Sequence, residues 1–180
     1  MVMKKKALSL FLFSGTAVLL FTMRWHGEVL TKFPSTKAGI VSLEFAKTKK
    51  KVTEILYEWN TVSSKNIHQH AVTNTAIDFL FIFFYSLFLF YVCFWFSTKQ
   101  QGLVSKISQF IALLALTAGL LDVIENYFLL KMLRNSITNA EALFTWWLAA
   151  VKFSLVGIAV LWILINIPLY FIFKPKTKTS

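Results

Sequence analysis

Four stretches of this chain are too long and too apolar for the interior of a small soluble domain: residues 7–23, 76–96, 107–133 and 143–173. A helix needs about 20 apolar residues to cross the ~30 Å hydrocarbon core of a bilayer. At that depth the backbone must satisfy its own polar groups, which the four runs do as helices. The sequence therefore predicts an all-α polytopic membrane protein, a single domain over residues 1–180 built as a bundle of four transmembrane helices. Loop 24–75 is its one substantial water-facing segment. Composition agrees, since 57% hydrophobic against 15% charged residues leaves too little polar cover for a soluble chain of 180 residues.

The formal charge of +11 does not point to nucleic acid, because Lys and Arg gather at the edges of the apolar runs and in the first loop, where they meet head groups. Lys4, Lys5 and Lys6 precede the first run. Met23, Arg24 and Trp25 follow it where a signal peptide would carry small residues, so it reads as an uncleaved anchor. Four spans put both termini on one side. Lys4 to Lys6, Lys99, Lys106, Lys174, Lys176 and Lys178 then make that side cytoplasmic, against the opposing weight of eight basic residues in loop 24–75. Cys93 is the single cysteine and sits in an apolar run, which excludes an intramolecular disulfide.

Within the first loop, Phe45, Val52, Ile55, Trp59 and Val62 recur near a 3.6-residue period, with Lys47, Lys50, Lys51, Glu54 and Glu58 between them. This predicts an amphipathic helix over about 43–62, lying on the membrane surface or closing the bundle mouth as a lid. Pro34, Ser35 and Gly39 predict a turn before it. Glu44 would stand at its start, favouring the positive end of the helix dipole.

Charges inside the spans carry the functional signal, because each costs at least ~2.5–3.5 kcal/mol at the bilayer centre unless paired or hydrated. On the third span Asp122, Glu125 and Asn126 share a face by their spacing, continued by Ala115, Ala118 and Gly119. On the fourth, Thr145, Ala149, Lys152 and Ala159 form a small or polar stripe, with Asn166 and Pro168 beyond. On the second, Asp78, Ile82 and Tyr85 share a face, and extending the helix backward adds Asn74 and His70. Counting from the loop side, Glu125 and Lys152 lie roughly 12–14 Å deep, Asp122 slightly deeper and Tyr85 about 15 Å. Asp78 is shallower. One polar cluster is expected to hold them all.

Three carboxyls and one ammonium are not neutralised by one salt bridge, so the excess must be protonated, hydrated or matched by a cation or substrate group. Four readings stay open. Asp122 or Glu125 pairs with Lys152 merely to fix helix register. The cluster, as Asp78, Tyr85, Asp122, Glu125, Asn126 and Lys152, binds a small amphipathic or lipid-like ligand. Asp122 or Glu125 acts as a catalytic acid or base with Asn126 as orienter. A proton or ion path runs through the bundle, which at this size would call for a homo-oligomer.

Other motifs are weaker. His68 and His70 form a His-x-His pair without a cysteine, and the nearest acid is Asp78, so interfacial histidines are the simpler account and no metal site is expected. His26 has no opposing axial ligand for haem, and no cofactor is expected. Trp146 and Trp147 read as interfacial anchors. There is no Walker loop, dinucleotide fingerprint, His-Glu-x-x-His or Gly-x-Ser-x-Gly.

The segment Gly39 to Thr48, then Trp59, Asp78 to Phe81 with Tyr85, and Leu121 to Asn126 together resemble a group of uncharacterised bacterial four-span membrane proteins. That resemblance implies the bacterial cytoplasmic membrane and carries over no activity to this chain. In topology alone the layout is similar to the sterol-isomerase and sigma-2-receptor class, which implies a lipid-like ligand and transfers no residue role. The expected partners are membrane lipids and a small amphipathic molecule.

Overall fold

The structure, a computed structural model, describes residues 2–61 and 66–172; Val62, Phe173 and the tail lysines Lys174, Lys176 and Lys178 lie outside the described residues. Among the described residues, six α-helices follow in order: α1 (Val2–Gly27), α2 (Ile40–Glu44), α3 (Lys49–Thr61), α4 (Ile67–Ser97), α5 (Gly102–Leu133) and α6 (Asn139–Ile172). Among the described residues there is no strand. Helices α1, α4, α5 and α6 are the four long and apolar enough to cross a membrane, as their apolar runs predict.

The long helices start and stop at recognisable signals. Asn66 caps α4 by accepting from the Gln69 amide at 3.1 Å. Before α6, Thr138 and Glu141 form a reciprocal capping box, with the Glu141 amide donating to Thr138 Oγ1 at 3.2 Å and the Thr138 amide donating to Glu141 Oε2 at 2.9 Å. Helix α5 closes on Asn135 at φ 52°, with the Ser136 amide reaching back to the Lys131 carbonyl at 3.0 Å.

Packing then follows residue size. Helix α5 lies between α4 and α6, and α1 packs along α4. Gly119 lets α5 approach α4 closely, since a Cβ there would stand 2.7 Å from the Ser86 Cβ. Ala112, Ala115 and Ala118 on the same face are fully buried. Phe11 and Phe13 of α1 contact Phe84 and Phe88 of α4, with ring centres 5.4 and 5.5 Å apart. Tyr85, Leu89 and Cys93 of α4, Ile111 of α5 and Ala159 of α6 belong to the inner core of the bundle. At the far end Gln100, Ser108, Trp162 and Asn166 satisfy one another. Gln100 donates to Asn166, Ser108 donates to Gln100 at 2.6 Å, and Trp162 donates to Ser108 at 3.0 Å. Asn166 in turn donates to the Trp162 carbonyl at 2.8 Å.

The first loop departs from the single predicted helix over 43–62. It forms two helices, because the Phe45 and Ala46 amides turn back to Val41 and Leu43 and end α2, while Thr48 Oγ1 accepts from Lys51 and opens α3. Glu44 is thus the last residue of α2 and not the first turn of an amphipathic helix. The choice between membrane surface and lid also resolves. Val52, Ile55, Leu56 and Trp59 are buried against Leu30, Leu43, Leu129, Met132 and Ile137, so the apolar stripe of α3 faces protein and closes the bundle mouth. Phe45 leaves that stripe and stacks on Phe153 of α6, 6.0 Å between ring centres.

Helix α2 reaches deep. Trp147 and Tyr127 are exposed rings of the kind that sit at the head-group boundary. Lys152 and Asp122 each lie five residues from them, about 7 Å further toward the bilayer centre. Since Phe45 lies on Phe153 at that same level, the Gly39–Lys47 segment folds back alongside the bundle and does not stay beyond the helix ends. Gly39 turns the chain into it at φ 62°, a conformation that glycine adopts freely.

Candidate functional site

The deepest point of that segment is where the intramembrane charges converge. Lys152 Nζ, on α6, donates to Asp122 Oδ1 at 2.6 Å and to Glu125 Oε1 at 3.0 Å, both on α5. A third carboxylate comes from α2, with Glu44 Oε2 at 3.4 Å from the same ammonium. Tyr85 of α4 donates to the other oxygen of Asp122 at 2.8 Å. One turn toward the loop side, Asn126 Nδ2 donates to Asp78 Oδ2 at 2.8 Å. Depth counting therefore brings Asp78, Tyr85, Asp122, Glu125, Asn126 and Lys152 into one neighbourhood, in two linked groups. Asn126 orients Asp78 and not the acids beside Lys152.

Glu44 is the member whose role the loop pattern misses. Its position depends on the folded-back path of α2, which no periodicity reports. The signal that could have found it is its carboxylate in a stretch otherwise free of charge between Gly39 and Ala46.

Burial makes the charge balance consequential. Glu125 and Asn126 are fully buried, and Glu44, Asp122 and Lys152 are at most 5% exposed. Counting Asp78, the neighbourhood holds four carboxyl groups and one ammonium. Buried ions are retained only when every remaining lone pair finds a partner. Here three acceptors do not: Glu125 Oε2, Glu44 Oε2 and Asn126 Oδ1 make no hydrogen bond, although Glu44 Oε2 remains within ion-pair distance of Lys152. All three are hydrogen-bond acceptors, so the deficit is one of donors. Contrast the Gln100–Ser108–Trp162–Asn166 group, which closes on itself and whose side chains need no further partner.

The histidines pair otherwise than their sequence spacing suggests. His70 does not act with His68, since residues two apart on a helix point to different sides. Its ring instead lies 4.7 Å from that of His26 on α1. Among the described residues no group of three His, Cys, Asp or Glu side chains gathers at metal-binding distance.

The class that fold and site define is an all-α, four-helix membrane protein with a folded-back lid and an acid-rich polar centre inside the bundle. Compared with protein-family models, with curated proteins and with solved structures, the chain finds no match.

Proposed function

We propose that this protein binds a small amphipathic or lipid-like molecule in the bilayer, holding its polar head at the Asp122–Glu125–Lys152–Glu44 centre. The observation that carries this reading is the donor deficit: Glu125 Oε2, Glu44 Oε2 and Asn126 Oδ1 are buried acceptors without a hydrogen bond in an acid-rich site. A head group bearing N–H or O–H donors, preferably cationic, supplies what they lack, and an apolar tail suits the surrounding bundle. Entry is by way of α2. The site is closed, and Glu44 is the one member carried by a short helix, so withdrawal of Gly39–Lys47 opens the centre without separating α4, α5 and α6.

Asp78 and Asn126 form the outer part of the site and Tyr85 positions Asp122. The setting is a bacterial cytoplasmic membrane with both termini on the cytoplasmic side and α3 over the outer mouth. The short basic segments support the orientation, and the resemblance to bacterial four-span proteins supports the choice of membrane.

A second reading is favoured by one observation, the unbroken row Tyr85–Asp122–Lys152–Glu125. Such a row moves a proton, and the protein would then be an intramembrane acid/base enzyme acting on the same kind of molecule. A third is a structural subunit whose ions fix packing. Mass spectrometry of small molecules co-purifying with the gently solubilised protein separates them. A species retained by the natural chain and lost from Glu125→Gln without loss of fold supports binding. Retention by Glu125→Gln of a species that the natural chain converts supports catalysis. Bulk membrane lipid in both samples, with only thermal stability lowered, supports the structural subunit.

A further inference from the structure

A second polar site lies apart from the acid-rich centre, where the loop-side end of α1 meets the first turns of α4. Three Lewis-basic atoms gather there without a hydrogen-bond partner: His26 Nδ1, His70 Nδ1 and Asn74 Oδ1. Their arrangement follows from helix geometry. His70 and Asn74 are four residues apart on α4 and share a face, and His26 reaches that face from α1. Gly27, next to His26, brings the α1 backbone against the Asn74 amide, where a Cβ would stand 3.6 Å from Asn74 Oδ1. Asn74 is 4% exposed, and both histidines are half-buried.

We propose that His26, His70 and Asn74 bind one borderline divalent transition-metal ion, of the zinc or cobalt type. Two imidazole nitrogens and one amide oxygen match the ligand preferences of such ions, and leave a coordination position for water or a second ligand. Ring spacing agrees. Two imidazoles bound to one ion at ~2.0–2.1 Å have ring centres about 4.5 Å apart at a right angle and about 5.2 Å apart at the tetrahedral angle. The observed separation is 4.7 Å, with the rings inclined at 43°. The ion would tie α1 to α4 at the end where Trp25 and Arg24 leave the bilayer, reachable from water without opening the acid-rich centre. This site stands whether or not that centre binds an amphiphile.

The test uses the full chain without an affinity tag, in detergent micelles, titrated with zinc against a chromophoric chelator. One zinc per chain is expected, with affinity at least tenfold weaker in His26→Ala and in His70→Ala, weaker in Asn74→Leu, and unchanged in His68→Ala and Glu125→Gln. Zinc X-ray absorption on the natural chain, which needs no variant to fold, should show two imidazole nitrogens at about 2.0 Å. The proposal is overturned by the absence of stoichiometric zinc, by equal loss in His68→Ala, or by an absorption spectrum without imidazole scattering.

Discussion

Glu44 Oε2 stands 3.4 Å from Lys152 Nζ, so a residue of the first loop completes a charge centre otherwise built from two membrane helices. The contact links the lid to the bundle. It is also the weakest of the three carboxylate contacts to Lys152, because the other two are hydrogen bonds of 2.6 and 3.0 Å.

Removing that link should loosen the lid and little else. In Glu44→Gln, hydrogen exchange over Gly39–Lys47 is expected to quicken severalfold, while α4, α5 and α6 keep their protection. Uniformly faster exchange across the bundle would instead make Glu44 a general stabiliser.

Among the described residues Lys152 is the sole cation of the centre, and Lys152→Met strands Asp122, Glu125 and Glu44 together. Loss of one partner from a buried ion pair costs about 3–5 kcal/mol. A thermal unfolding midpoint well below that of the natural chain should follow, partly restored when Asp122→Asn is added. An unchanged midpoint would mean that water already reaches the acids.

Gly119 sets the distance between α4 and α5. A Cβ would meet the Ser86 Cβ at 2.7 Å, so Gly119→Val forces the helices apart and should destabilise by about 1–3 kcal/mol. Gly157 has open space around it, and Gly157→Ala in the same assay should be neutral or slightly stabilising, as expected for a helix interior.

Trp59 anchors the lid helix. It is 1% exposed within the cap core, and Trp59→Ala should cost about 3–5 kcal/mol of cap stability. Limited proteolysis should then cut α3 much faster while α4 to α6 stay intact. Resistance equal to that of the natural chain would show that Val52, Ile55 and Leu56 hold the cap without it.

The membrane helices and every member of the polar centre except Glu44 were legible because both obey a helical period. Asp122, Glu125 and Asn126 share a face by their spacing alone, and a constant rise per residue puts Lys152 and Tyr85 at their depth. The cost of an unpaired charge in hydrocarbon then requires those side chains to face inward. What periodicity cannot carry is the course of a loop. The break between α2 and α3 depends on Thr48 capping the second helix, and Glu44 reaches Lys152 only because Gly39 turns the chain downward and Phe45 finds Phe153. His26 and His70 meet for a similar reason, across an interface between helices whose rotation depends on contacts such as Phe11 with Phe84.

The residue pattern alone thus specifies four helices long and apolar enough to cross a bilayer, and the penalty for unpaired charge in hydrocarbon leads their charged faces to be expected toward one another. Packing between elements, in contrast, folds the first loop back against the bundle as a lid carrying a fourth acid. It also decided that His26 and not His68 faces His70. Such contacts join residues far apart in the chain, and their partners are chosen by packing between elements, not by any local pattern.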